Sequence, residues 1–272
     1  MRGRVLVVAG SDSGGGAGIQ ADIKSITALD GFAMTAVTAL TAQDTRGVHG
    51  VLPVPPEFVR QQIVTVLTDL GADAIKTGML HDEPVLEAVC DELAPCARRI
   101  PIVVDPVMVA KGGHRLLNDG AIAAVKRRLL VLAAVVTPNV PEAEVLTGMR
   151  IADETAMRHA AEAMLTFGVP AVLMKGGHLP GNEVVDLLVT GAGVQAFRSP
   201  RIASSHTHGT GCTLASAVAT GLAQGMSLFD SVARARAYVR AAIRSAPGFG
   251  TGHGPINHAV TVDPARIASL TA

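Results

Sequence analysis

The sequence predicts an α/β fold with a central, mostly parallel sheet flanked by helices. Short β-type runs alternate with longer helix-type stretches through nearly all of the 272 residues, the pattern of repeated strand–helix–strand units. The strand runs are apolar without clean alternation, as expected where both faces of a sheet are covered. Polar residues gather just after these runs: Ser11 and Asp12, Gln43 and Asp44, Asp105, Asn139 and Glu142, and Lys175. In an open parallel sheet the loops beyond the strand C-termini share one edge and form the ligand crevice.

In chain order, residues 4–9 give a first strand, followed by a glycine-rich turn and a helix at 17–29. Residues 33–41 form a second strand. The helix at 56–70 opens on Pro56, a first-turn position where the missing N–H does no harm. Its Phe58, Ile63, Val66, Leu67 and Leu70 make one apolar stripe, with Glu57, Arg60, Gln61 and Asp69 outside it. Strand 72–77, helix 84–93, strand 102–105 and helix 121–130 follow. Strand 134–137 leads through Asn139 to a helix at 141–147, again opened by a proline, and a helix at 154–167 precedes a strand at 171–175. The runs 183–190 and 194–197, joined through Gly191-Ala-Gly193, read as a hairpin near a sheet edge. Helices at 213–223 and 228–245 end the pattern. No composition shift, charge block or internal repeat marks a linker, so a single domain over residues 1–272 is expected.

Composition narrows the function classes. Hydrophobic residues make up 49% of the chain, enough for a sizeable core. Lys plus Arg equals Asp plus Glu at 23 each, so no overall field favours nucleic acid or an acidic membrane surface. With no Trp, one Tyr and six Phe, stacking platforms for bases are hard to build, and no nucleic-acid partner is expected. Cys90, Cys96 and Cys212 are too few and too unevenly placed for a disulfide framework or a CxxC metal site, which suits a reducing cytosol. Cys90 and Cys96 are expected on one helix as small apolar residues. The apolar segment at 5–9 is shorter than a signal peptide's core, and the longest apolar run, residues 129–136, is far short of a membrane span. No membrane partner and a cytoplasmic location are expected.

Four segments have the residue types of a phosphate site. His208-Gly-Thr-Gly-Cys-Thr213 ends an irregular stretch and opens an apolar helix. Its glycines let the backbone curl around a ligand, and the helix start offers free N–H groups and a positive dipole end. Asp105, after one strand, and Glu142, after another, place two carboxylates at the crevice edge, where carboxylates hold Mg²⁺ with substrate phosphates completing the shell. Glu142 alone reads equally as a first-turn acid favoured by the helix dipole, and Asp105 before proline as a turn former. Lys175-Gly-Gly177 would aim an ammonium into the same crevice, or the lysine simply snorkels from a strand end. Gly10-Ser-Asp-Ser-Gly-Gly-Gly-Ala-Gly18 can be forced onto a dinucleotide fingerprint, but the next strand lacks the acidic residue that would hold a ribose, and a Walker A loop is excluded by Ile-Gln-Ala after Gly18. His206 and His208 lack a third ligand and read as loop histidines.

Gly10-Ser-Asp-Ser-Gly-Gly-Gly-Ala-Gly-Ile-Gln-Ala-Asp22, Ala39-Leu-Thr-Ala-Gln43, Asp105-Pro-Val-Met108, Thr137-Pro-Asn-Val-Pro-Glu142, Leu173-Met-Lys-Gly-Gly-His178 and His208-Gly-Thr-Gly-Cys-Thr213 together closely resemble the hydroxymethylpyrimidine and hydroxymethylpyrimidine phosphate kinases of thiamine biosynthesis. The motifs occur in family order and span nearly the whole chain. The resemblance implies the ribokinase-like three-layer fold, a homodimer, and an ATP- and Mg²⁺-dependent kinase acting on a small-molecule pyrimidine. It implies that Gly209, Thr210, Gly211 and Cys212 cradle the transferring phosphoryl group, with Lys175 balancing its charge. Cys212 stands where sugar-kinase relatives carry an aspartate base, and it would either remove the substrate proton or only hydrogen-bond the hydroxyl. Gln43 would read the pyrimidine edge, since its amide offers both a donor and an acceptor. Gly10, Asp22, Met79 and Val107 would complete the ring pocket, and Asp105 and Glu142 would support Mg²⁺.

Two departures from the family pattern stand out. Asp44 replaces an asparagine often found after the pocket glutamine, and the first loop lacks a frequent proline. The nearest rival is a pyridoxal or pyridoxine kinase of the same fold. Relatives acting well on pyridoxal tend to carry a cysteine after Asp-Pro-Val-Met, whereas this chain has Val109-Ala-Lys-Gly-Gly113. A non-catalytic pyrimidine-binding protein would have no need of Asp105, Glu142, Lys175 and the whole Gly-Thr-Gly-Cys loop. A dinucleotide-dependent oxidoreductase is a more distant alternative.

Overall fold

The computed structural model describes residues 2–108, 119–265 and 269. Its strands are β1 (Arg4–Asp12), β2 (Phe32–Gln43), β3 (Val48–Pro53), β4 (Ala74–Thr77), β5 (Ile102–Val104), β6 (Val135–Val136), β7 (Ala171–Lys175), β8 (Glu183–Thr190) and β9 (Gly193–Pro200). They form one sheet in the order β3-β2-β1-β4-β5-β6-β7-β8-β9. Every pairing from β2 to β7 is parallel, and the edge strands β3, β8 and β9 pair antiparallel. The chain goes from β1 to β2 on one side and returns to β4 on the other. That reversal opens a crevice at the C-terminal strand ends, where ligands settle in such sheets.

The helices are α1 (Gly18–Ala28), α2 (Pro56–Asp69), α3 (Glu83–Leu93), α4 (Asp119–Ala124), α5 (Val140–Thr147), α6 (Glu154–Leu165), α7 (Thr210–Ala223) and α8 (Leu228–Arg244). Successive strand side chains point to opposite faces, so β1 sends Leu6 and Val8 into the core beneath α2 to α6, and Val5, Val7 and Ala9 into the core beneath α1, α7 and α8. This explains the missing alternation in the sequence, since both faces are dry. No described helix is long and apolar enough to cross a membrane.

The differences from the sequence reading have local causes. β3 goes unpredicted because all but its first residue are exposed, so it carries no apolar pattern. It is paired through its backbone to β2, and the turn between them is tied by Asp44, whose Oδ1 accepts the N–H groups of Arg46 at 2.8 Å and Gly47 at 3.1 Å. The buried stripe of α2 runs through Val59 and Ile63, with Val66 and Leu67 partly buried against the core, and leaves Phe58 and Leu70 exposed. The helix expected at 121–130 is α4 followed by a π-helical turn (Val125–Leu129) and a 3₁₀ turn (Leu130–Leu132). Cys96 lies beyond the end of α3 and so does not share a helix with Cys90, although both are buried. The helix expected from Thr213 starts three residues earlier, at Thr210, which matters for the site.

Candidate active site

Asp12, the last residue of β1, shapes the glycine-rich stretch that follows it. Its Oδ1 accepts the Gly14 N–H at 2.8 Å, and its Oδ2 accepts those of Gly16 at 3.1 Å and Ala17 at 2.8 Å. His208 Nε2 lies 2.9 Å from the same Oδ2 and 3.2 Å from the Gln43 side-chain amide. Burial works against the Asp12 charge, yet the His208 contact and the Ala17 and Gly14 N–H groups hold its carboxyl below the ordinary range. His208 is thus more than the loop histidine the sequence suggests, because its ring joins the wall of the crevice.

Gly209 is the N-cap of α7 in the left-handed region, at φ +81°. Thr210, Gly211 and Cys212 are therefore the first turn of the helix itself. The first N–H groups of a helix have no intrahelical acceptor and carry the positive end of its dipole. This turn projects between two cavities, and Thr210 and Gly211 line both.

At the same junction Asp105 Oδ1 accepts from Thr137 Oγ1 and from Lys175 Nζ, each at 3.0 Å. Lys175 Nζ is also 3.9 Å from Glu142 Oε2. Burial pushes the Glu142 carboxyl up to about 7, with Lys175 opposing and Asp105 adding to the rise. Burial opposes the Lys175 charge, but Asp105 and Glu142 outweigh it and hold the ammonium above its ordinary value. Glu142 is both the first-turn acid of α5 and a residue of the crevice edge. It closes a capping box with Asn139, its N–H donating to Asn139 Oδ1 at 2.9 Å and its Oε2 accepting the Asn139 N–H at 2.8 Å, and it also lines the crevice. Among the described residues no group of three or more His, Cys, Asp or Glu side chains could hold a metal ion. A divalent cation would find two hard oxygen donors here and take its other ligands from phosphates and water, the habit of Mg²⁺. The donor set fits that ion, because a carboxyl raised by burial gains most from an adjacent cation.

The first cavity, of about 440 Å³, is lined by Gly10, Gln43, Met79, Val107, Asp105, Glu142, Lys175, Gly209, Thr210, Gly211 and Cys212. Gly10 donates its N–H to the Met79 carbonyl at 3.1 Å, and a Cβ on Gly10 would strike the Met79 methyl group. Asp22 is the one expected site residue that does not reach the wall. It is fully buried below it, where both carboxylate oxygens receive Lys76 Nζ at 2.9 Å and Oδ1 also receives Ser216 Oγ at 2.6 Å. Lys76, which does line the cavity, is the residue that Asp22 holds from behind the wall. Asp44 is likewise occupied by its own turn, with His49 Nε2 at 3.0 Å from its Oδ2, and does not line the cavity. The sequence reading missed Lys76, though a lysine inside the apolar strand Ala74-Ile-Lys-Thr77 was a visible signal.

The second cavity, of about 530 Å³, lies across the first turn of α7. It has an apolar wall that includes Ile202, Val239 and Ile243, with Arg236 beside them. Arg236 Nε donates to Asp186 Oδ2 at 2.6 Å, and Asp186 Oδ1 accepts the Gly176 N–H at 2.9 Å, which pins the turn after Lys175. These residues come from β8, α8 and the chain before α7, a dispersion that no linear motif can reveal.

Two cavities that meet at a helix N-terminus, beside a lysine flanked by carboxylates at the ends of a parallel sheet, define a ribokinase-like phosphotransferase. The chain belongs to the phosphomethylpyrimidine kinase family, whose model matches residues 12–257. It is 53% identical over 265 residues to the thiamine biosynthesis bifunctional protein ThiED of Geobacter sulfurreducens, a match covering 97% of this chain and 54% of that longer protein. It is 51% identical over 254 residues to the hydroxymethylpyrimidine/phosphomethylpyrimidine kinase of Streptomyces coelicolor, covering 93% of each. Among solved structures, the ADP complex of Bacillus subtilis pyridoxal kinase matches with a TM-score of 0.90 at 34% identity, covering 97% of this chain and 100% of that one.

Proposed function

We propose that this kinase phosphorylates 4-amino-5-hydroxymethyl-2-methylpyrimidine to its monophosphate and then to the diphosphate, with ATP as donor, in thiamine biosynthesis. The observation that carries this reading is the first turn of α7 standing between two cavities. One cavity suits a small polar ring, through Gln43 and its neighbours, and the other suits a nucleotide, through its apolar wall and Arg236. A phosphoryl group crossing from one to the other passes the N–H groups of Gly211 and Cys212.

In the first reaction the pyrimidine CH₂OH oxygen attacks the γ-phosphorus in line, and charge on the transferring group peaks beside those N–H groups. Lys175 balances that charge. Asp105 and Glu142 would hold Mg²⁺, which would supply positive charge to offset that of the phosphates. In the second reaction the acceptor is the monophosphate, already anionic, so little proton removal is required. A mild residue such as Cys212 is compatible with one site serving both steps.

A pyridoxal kinase is the second reading, favoured by the fold likeness to the Bacillus subtilis pyridoxal kinase. The segment 109–113, where pyridoxal-active relatives tend to carry a cysteine, has none and lies outside the described residues. Purified protein with ATP, Mg²⁺ and either hydroxymethylpyrimidine or pyridoxal, followed by mass of the products, decides between them. Mono- and diphosphate from the pyrimidine are expected. Turnover of pyridoxal alone would sink the substrate assignment, and no ADP from either would favour a binding protein.

A homodimer and a cytoplasmic location complete the proposal. The exposed apolar side chains Leu40, Val51 and Leu52 on β2 and β3 support the first, and light scattering of the purified protein tests it.

A further inference from the structure

Lys76 sits in the middle of the sheet, opposite Val7 of β1 and Val103 of β5. Both it and Asp22 are fully buried. A buried ion pair is a poor stabiliser, because apolar side chains of similar volume serve a core as well or better. The pair therefore needs a reason beyond packing, and its surroundings supply one.

Asp22 lies four residues after Gly18 on α1, and Ser216 lies four residues after Cys212 on α7. Residues four apart share a helix face. The two helices therefore present two rungs toward β4. In the lower rung Ser216 donates to Asp22 at 2.6 Å. In the upper rung Gly18 and Cys212 both line the cavity. Lys76 lines the cavity together with Cys212 and has three N–H donors, of which Asp22 engages two.

We propose that Lys76 is a positioning residue for phosphoryl transfer: its ammonium, anchored by Asp22 and Ser216, is the charge that stabilises the anionic form of the Cys212 sulfur. Asp22 sets how much of that charge reaches the sulfur. The inference rests on the reading of Cys212 as the group that receives the substrate proton. In that step the thiolate forms an S–H bond as the CH₂O–H bond breaks, and the oxygen's electron pair goes to the γ-phosphorus as its bond to ADP breaks. Burial pushes the Cys212 thiol up to about 11, and Lys76 is the largest influence in the opposite direction. The charged groups whose fields act on the sulfur are Lys76 on β4 and Lys175 on β7, which favour the anion, and Asp22 on α1 and Asp105 after β5, which oppose it.

The test is the rate of Cys212 alkylation by iodoacetamide in the full-length protein between pH 7 and 10, located by peptide mass, with folding checked by thermal melting. Cys90 and Cys96 are buried, whereas Cys212 is half-buried. Lys76→Met should slow alkylation at pH 8 by about tenfold or more, the effect of one pKa unit. Asp22→Asn should speed it. A purely structural role moves both variants the same way, and that result, or no change in either, overturns the proposal. If Lys76→Met does not fold, Asp22→Asn decides alone: faster alkylation supports the proposal, and an equal or slower rate overturns it. Opposite alkylation shifts with an unchanged first phosphorylation would support Lys76 as the tuning charge and remove Cys212 as the base.

Discussion

Gly209 packs against Gly16 so closely that a Cβ on Gly209 would overlap the Gly16 carbonyl oxygen. The first turn of α7 and the glycine-rich loop after β1 are thus joined backbone to backbone. The left-handed φ of +81° at Gly209 separately disfavours any side chain. Gly209→Ala should destabilise the protein by about 1–3 kcal/mol and, by displacing the N–H groups of the first turn, lower kcat for both phosphorylations by about a hundredfold or more. Urea unfolding and steady-state kinetics check the two halves. A destabilised protein with wild-type kcat would show that the turn is structural only.

The raised Glu142 carboxyl has a thermodynamic signature. Its pKa goes from an ordinary 4.5 to about 7 on folding, so between those values the native state holds a proton that the unfolded chain has released. Its contribution is fully present below pH 4.5 and is lost as pH rises through 7, on the order of 3 kcal/mol across the window. Glu142→Gln, which keeps a capping oxygen for Asn139, should flatten that part of the stability–pH curve when thermal melts are compared with wild type. Added Mg²⁺ should raise the wild-type melting temperature more at pH 8 than at pH 6, and this difference should vanish in the variant.

The two cavities should separate in kinetics. Gln43→Ala should raise KM for the pyrimidine by about tenfold, the cost of one or two lost hydrogen bonds, and leave KM for ATP unchanged. Arg236→Lys keeps a charge near Asp186 but loses the bond to Ser199 at 3.2 Å and the placement 5.4 Å over the Phe197 ring. KM for ATP should rise several-fold, with the pyrimidine KM unaffected. A crossed pattern would mean that the ligands are assigned to the wrong cavities.

What the sequence conveyed depended on how each feature is encoded. Local backbone signals were legible: Pro141 and Asn139 announce the start of α5, and the glycine pair around Thr210 announces the turn that opens α7. Their convergence followed from the parallel sheet, which brings every strand C-terminus to one edge. β3 was invisible because backbone pairing alone defines it, with five of its six residues exposed. The second cavity was invisible because Arg236, Ile202 and Val239 meet only through the packing of α8 on the chain before α7. Asp22 and Lys76 mark a subtler limit. Each side chain was open to view in the sequence, but that they neutralise each other, and that only Lys76 faces the cavity, depends on the relative heights of α1 and β4.

Cys212 is the residue at which loop geometry and proton transfer can be separated by substrate. Its thiol, pushed up to about 11 by burial, is mostly protonated at neutral pH, so a base role should show as a first-phosphorylation rate that climbs with pH between 7 and 10. The second phosphorylation starts from an anionic acceptor and should lack that dependence. Cys212→Ala removes the sulfur but leaves the N–H of the first turn in place. It should slow the first step by about a hundredfold or more, the usual worth of a positioned base, flatten its pH profile, and slow the second step much less. Single-turnover measurements with the alcohol and with the monophosphate give both numbers from one protein preparation. Equal losses in the two steps, with the pH slope intact, would assign the sulfur to shaping the turn and leave proton removal to another group.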